Sequence, residues 1–211
     1  NKNSLLKMTK TTKTICSAVG PYAKYGSLLV EACIESKTNY CDITGETHWI
    51  REIIDKFHTK AIKNKVKIVN ACGFDSIPSD LGVFFAQNKI KEVTGKYASK
   101  ICMRVISMKG GVSGGTIYSF LNILEESRKN KSIRKIIKNP HGLCPNKVLF
   151  ESEEEDLKKI VFDRNCKKWV GPFVMAGINT RIVRRSNYLM NFKYGRDFIY
   201  NEALVFGGNI L

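Results

Sequence analysis

Histidine is scarce in this chain, with only His48, His58 and His141 in 211 residues, and its seven cysteines form no Cys-x-x-Cys pair. Both shortages argue against a structural zinc site, which draws closely spaced Cys and His ligands, and no metal is expected. No apolar run reaches the roughly 18 residues of a membrane span, and no charged-then-apolar signal sequence opens the chain. No two glycines stand as Gly-x-Gly, so the GxGxxG phosphate fingerprint is absent. Acidic residues are also in deficit, 19 against 35 Lys and Arg, for a net charge of +16.

The hydrophobic content of 43% supports a real core, and the length suits one large domain or one and a half ordinary ones. Cysteines 16, 33, 41, 72, 102, 144 and 166 mostly sit in apolar patterns, as reduced core thiols do in a cytosol-like compartment. The chain opens at Asn1 without an initiator Met, which predicts a longer parent protein. The positive excess is spread out, and its densest block, residues 128–138, interleaves Lys and Arg with Ile rather than with stacking aromatics. It reads as a basic amphipathic helix, either a solvated face or a membrane-surface contact, and no nucleic-acid partner is expected.

Thr14 to Val19 reads as a short strand stopped by Gly20-Pro21-Tyr22, and a helix follows with Leu28, Leu29, Ala32 and Cys33 at helical spacing. Asn39 to Ile43 is a second strand ending at Thr44-Gly45-Glu46. Trp49, Ile50, Ile53, Ile54, Phe57 and Ala61 then form the stripe of a helix begun at Thr47. Val66 to Ala71 is a third strand, leading through Gly73-Phe74-Asp75-Ser76-Ile77-Pro78-Ser79-Asp80 into a further helix. Three strand-helix units predict an α/β fold: the second half of a Rossmann-like doubly wound parallel sheet over residues 1–95. From residue 96 the pattern changes to a longer strand over Ile101 to Met108, a Gly-rich loop and a helix through Glu126. Residues 139–170 read as an insertion with a short helix, and Asp197 to Phe206 as a strand. Residues 96–211 are thus expected to form an α+β substrate or dimerisation domain, with an incomplete C-terminus.

The loops after the three strands should converge on one rim, where open α/β sheets bind ligands. Gly20 permits close approach to a flat ring, Pro21 stiffens the turn, and Tyr22 offers an aromatic face and a phenol; the plainer alternative is an ordinary turn. Glu46 either accepts a ribose or substrate hydroxyl or stabilises the start of the following helix. Asp80 suits helix capping, with Ser76 or Ser79 sharing it, whereas Asp75 is better placed to face a ligand. Cys72 reads as a packed thiol, lacking a nearby His. Gly114, Gly115 and Thr116 could hold a substrate carboxylate or phosphate on backbone amides, or form a simple flexible turn.

The motifs resemble those of the saccharopine dehydrogenase-like oxidoreductases, a family that includes the trans-acting enoyl reductases and an animal saccharopine dehydrogenase-like protein. The likeness runs through Val19-Gly20-Pro21-Tyr22, Tyr40-Cys41-Asp42-Ile43-Thr44-Gly45-Glu46 and Ala71-Cys72-Gly73-Phe74-Asp75-Ser76-Ile77-Pro78-Ser79-Asp80-Leu81. Gly114-Gly115-Thr116 and Val183-Arg184-Arg185-Ser186 also fit. The resemblance implies an N-terminal Rossmann domain for NAD or NADP, whose Gly-rich loop has no counterpart here, and a second domain for a lipid-like or small carbonyl substrate. It places Gly20, Pro21 and Tyr22 near the nicotinamide and Gly73, Phe74 and Asp75 along the same cleft. Glu46 joins that cofactor set, and Tyr22 and Asp75 are the catalytic candidates. It further implies a cytoplasmic-face protein associated with lipid droplets or membranes; a homodimer is also expected. The competing expectation is a non-catalytic lipid-surface protein that retains the fold.

Overall fold

The computed structural model describes residues 1–74, 76–108, 114–145, 150–151 and 155–206. Its elements run α1 (Lys2–Thr9), β1 (Thr14–Ser17), α2 (Tyr22–Tyr25), α3 (Ser27–Ser36), β2 (Asn39–Asp42), α4 (Thr47–Asn64), β3 (Ile68–Val69) and α5 (Ile77–Thr94). They continue with β4 (Lys100–Val105), α6 (Gly114–Lys129), α7 (Lys131–Lys138), β5 (Val161–Asp163), β6 (Lys168–Gly171), α8 (Ala176–Leu189) and β7 (Ile199–Phe206). The chain divides into two compact units, Asn1–Phe74 with Val112–Lys138, and Asp75–Gly111 with Asn139–Leu211. An α/β fold with a parallel sheet is present, as the strand-helix alternation predicts.

In the first unit β1, β2 and β3 lie side by side in chain order, all parallel, with Ile15 opposite Tyr40 and Cys16 opposite Cys41. Alternation sorts the two faces. Ser17, Tyr40 and Asp42 are buried, whereas Cys16 is exposed and Cys41 half-buried on the other face. The core joins Val30, Cys33 and Ile34 of α3 to Trp49, Ile50 and Ile53 of α4. Strand β3 keeps only two paired residues of the longer run expected, because Ala71 turns to a φ of 58° and its amide leaves the ladder for the Asp42 carboxylate.

The basic block is two helices rather than one. Asn130 interrupts it, its side chain accepting the Ser132 amide at 2.8 Å and so capping α7.

In the second unit the strand order is β4-β7-β6-β5, with β4 and β7 parallel and the other pairs antiparallel. Val83 of α5 and Val183 of α8 pack with Tyr194, Phe198 and Tyr200. Strand β4 stops at Val105, short of the expected Met108. The short helix expected within residues 139–170 is absent among the described residues; β5 and β6 form a hairpin there instead. Its turn is set by Asp163, whose carboxylate accepts the Asn165 amide at 2.8 Å, and Phe162 and Trp169 pair across it.

Candidate functional site

The loops leaving the three parallel strands are braced by two buried carboxylates. Asp42, at the end of β2, accepts the Thr44 amide at 3.1 Å, the Ala71 amide at 2.9 Å and the Asn70 side-chain amide at 2.7 Å. It thereby holds Ala71 in a left-handed conformation that costs an L-residue about 1–2 kcal/mol. Burial pushes the Asp42 carboxyl up, and these amide donors oppose the shift. Glu46 is only 1% exposed, and its two oxygens accept the amides of Tyr22 at 2.8 Å and Ala23 at 2.9 Å. It satisfies the N-terminus of α2, a role that neither reading of the sequence contained.

Tyr22 is buried, its ring tilted against Trp49 with centroids 5.4 Å apart and its hydroxyl donating to the Ser17 carbonyl at 2.9 Å. Burial pushes its phenol up to about 12, so at neutral pH it holds its proton. Gly20 precedes a cis bond to Pro21, and a Cβ at Gly20 would stand 3.1 Å from the Ser119 hydroxyl of α6. Helix α6 therefore passes directly beside this loop, and Lys24 lies over the Tyr118 ring at 5.2 Å. A Cβ at Gly73 would stand 3.3 Å from that of Ile43, so the second and third loops are also in close contact.

What the rim presents outward is apolar. Val19, Ile43 and Phe74, one from each loop, are exposed, Phe74 at 88%. Gly114 and Gly115 are exposed in the first turn of α6. Asp75 and the Thr116 side chain lie outside the described residues, so the candidates placed by the fold are Gly20, Pro21, Tyr22, Glu46, Gly73, Phe74, Gly114 and Gly115. All of these belong to the first unit.

A further pair in that unit has no signature in the sequence. His48, in the first turn of α4, is buried with Nε2 2.8 Å from Glu126 of α6, and Asn122 donates to the same carboxylate at 3.1 Å. The signal is faint because the partners lie far apart in the chain.

In the second unit Ser76, at the head of α5, donates to Asn179 at 2.8 Å instead of capping the helix. Asn179 in turn donates to Glu202 at 3.0 Å, and the Tyr200 hydroxyl donates to the same carboxylate at 2.6 Å. Asp80 stands in the first turn of α5 but accepts the Ser186 hydroxyl at 2.9 Å, so its described hydrogen bond is across to α8 rather than a cap. Among the described residues no group of three or more His, Cys, Asp or Glu could hold a metal ion.

Among curated proteins, one from Mycobacterium tuberculosis that bears the name "putative trans-acting enoyl reductase" is 38% identical over 99% of this chain. A Mycobacterium bovis trans-acting enoyl reductase is 34% identical over 97% of it, and one from Mycobacterium leprae 33% identical over 97%. The chain spans about half the length of these relatives, 51%, 50% and 51% respectively. No family model matches the chain, and no solved structure matches it significantly.

Proposed function

We propose that this chain contributes the nicotinamide side of an NAD(P)-dependent reductase of the saccharopine dehydrogenase-like family. Its substrate would be a carbon–carbon double bond conjugated to a carbonyl, carried on a lipid-linked or small acyl group. The observation that carries this reading is the match over 97% to 99% of the chain to mycobacterial proteins named for enoyl reduction. The geometry of the rim supports it.

Val19, Ile43 and Phe74 offer exposed apolar surface along the rim, suited to a flat nicotinamide ring, while Gly20 and Gly73 let their loops pack closely against Ser119 and Ile43. The phosphates fit less well, since the sequence has no Gly-x-Gly turn to receive them. When bound, the reduced cofactor supplies a hydride to the β-carbon of the double bond. Gly20, Pro21, Gly73 and Phe74 would position the ring, while Glu46 fixes the Gly20 loop from beneath through the Tyr22 and Ala23 amides. Hydride addition leaves negative charge on the acyl group, which a proton delivered to the α-carbon must neutralise. Tyr22 and Asp75 are the sequence's candidates for that proton, and because the Tyr22 phenol is buried and already donates to the Ser17 carbonyl, the role falls to Asp75.

NADPH and NADH consumption with an α,β-unsaturated acyl thioester, measured on this chain and on a version extended to the relatives' length, tests the reading. The extended version is expected to consume cofactor only when thioester is present, and calorimetry is expected to find weak cofactor binding by the chain alone. Absence of thioester-dependent consumption by the extended version would remove the enoyl reductase reading. Tight binding by the isolated chain would show that the phosphate grip lies within it.

A further inference from the structure

Helix α6 is inside out. Its inward side carries Ser119, Asn122 and Glu126, the first against the Gly20 loop, the last beside His48, with Asn122 donating to the Glu126 carboxylate. Its apolar residues Ile117, Phe120, Leu121 and Leu124, spaced i, i+3, i+4 and i+7, are 51%, 51%, 56% and 39% exposed. Such spacing places them on one helical stripe, and contiguous exposed apolar surface of this kind marks an interaction site.

Cations gather where the stripe ends. Arg128 continues its line by one more turn, and Lys129, Lys131, Arg134, Lys135 and Lys138 follow, all exposed. Residues 114–138 thus hold six Lys and Arg against two Glu, and one of these, Glu126, is turned inward to His48. Arg134 donates to the Ser127 and Arg128 carbonyls at 3.1 Å each, tying the basic helix α7 to the end of α6. Ile133, Ile136 and Ile137 are half-buried, so α7 supplies charge while α6 supplies apolar surface.

We propose that the α6–α7 surface docks on an anionic lipid bilayer, the α6 stripe entering the interface and the flanking cations meeting acidic headgroups. Charge complementarity selects this occupant. A second copy would bring the same cations face to face, on a chain whose net charge is already +16. An acidic protein would satisfy the cations, but a projecting helix face flanked by Lys and Arg is the pattern of a shallow interfacial anchor. No helix among the described residues is long and apolar enough to cross a membrane, so this contact is peripheral. The inference does not depend on the reductase reading, because vesicle binding is measured without cofactor or substrate.

Flotation with vesicles of phosphatidylcholine, alone or mixed with phosphatidylserine, tests it. The protein is expected to float with the serine-containing vesicles only. Combined Ile117→Gln, Phe120→Gln, Leu121→Gln and Leu124→Gln is expected to weaken that binding about tenfold or more, since each change removes an apolar anchor. Combined Lys131→Gln, Lys135→Gln and Lys138→Gln is expected to weaken the preference for phosphatidylserine about tenfold or more, since it removes three of the six cations. Should the quadruple variant not fold, Phe120→Trp gives a separate readout, an emission that shifts to the blue on serine-containing vesicles. The proposal is overturned by a protein that floats with neither vesicle, by a quadruple variant that floats like the parent, or by Trp emission indifferent to vesicles. Self-association lost in the quadruple variant without any vesicle binding would assign the stripe to a second copy. Equal binding of parent and quadruple variant to polyglutamate, with no vesicle binding, would assign the surface to acidic protein; both results overturn the bilayer.

Discussion

The Glu46 carboxylate sits beneath the first turn of α2, with the Tyr22 amide 2.8 Å from one oxygen and the Ala23 amide 2.9 Å from the other. An acid in one rim loop thus fixes the loop that precedes it. Charge-assisted bonds of this kind contribute about 1.5–3 kcal/mol each, and stranding their donors costs more than the bonds alone. Glu46→Ala is therefore expected to destabilise the fold by about 3 kcal/mol or more in urea titration. Glu46→Gln keeps one acceptor and turns an amide donor toward another, so it should fall between the two.

Tyr22 gives a pH signature. Its phenol is neutral in the fold up to about pH 12, whereas an exposed tyrosine titrates near 10. Stability from this group is complete below about pH 10 and declines as pH rises toward 12, because the unfolded chain loses the proton first. Tyr22→Phe should cost about 1 kcal/mol at neutral pH, the hydrogen bond to Ser17, and should shrink the alkaline decline. The decline will not vanish, since burial also pushes Tyr194 up to about 12. Urea midpoints measured from neutral to alkaline pH check both parts.

Gly26 joins α2 to α3 where a Cβ would lie 2.5 Å from Trp49 Cζ2 and 2.8 Å from the Tyr22 carbonyl. Gly26→Ala should cost about 1–3 kcal/mol, as overpacking does where neighbours cannot yield. Because Tyr22 and Trp49 share the contact, near-ultraviolet circular dichroism should register it as well.

His48 and Glu126 tie α4 to α6 within the first unit. Because the contact is close but neither His48 ring nitrogen meets hydrogen-bond geometry, a double-mutant cycle with His48→Ala and Glu126→Ala should return a coupling of about 1 kcal/mol or less. A coupling near zero would mean that the contact holds no energy.

The parallel sheet was legible because Thr14 to Val19 and Asn39 to Ile43 combine β-branched or apolar residues with turn chemistry at their ends. Helix α4 was legible from a stripe whose residues Trp49, Ile50 and Ile53 do reach the core. For α6 the sequence showed a helix through Glu126 after the Gly-rich loop but not which side meets the core, since a stripe facing water and one facing the core have the same spacing. Asn130 reads as one more polar residue in a basic run until its side chain is seen capping α7. The 161–171 hairpin was hidden by charged flanks and by strands of three and four residues. The braces were the least legible part. Glu46 could be placed after β2 from pattern alone, but its partner Tyr22 is 24 positions away and is recognised through backbone amides, which leave no mark on residue identity.

The most direct test of the rim as a nicotinamide contact is amide chemical-shift mapping of the isotope-labelled chain titrated with NADPH. Shifts should concentrate at residues 19–23, 43–46 and 72–74, and Phe74→Ala should weaken the response without altering the spectrum elsewhere. Amides that stay unmoved there at high NADPH, or a Phe74→Ala chain that responds as the parent does, would contradict the account.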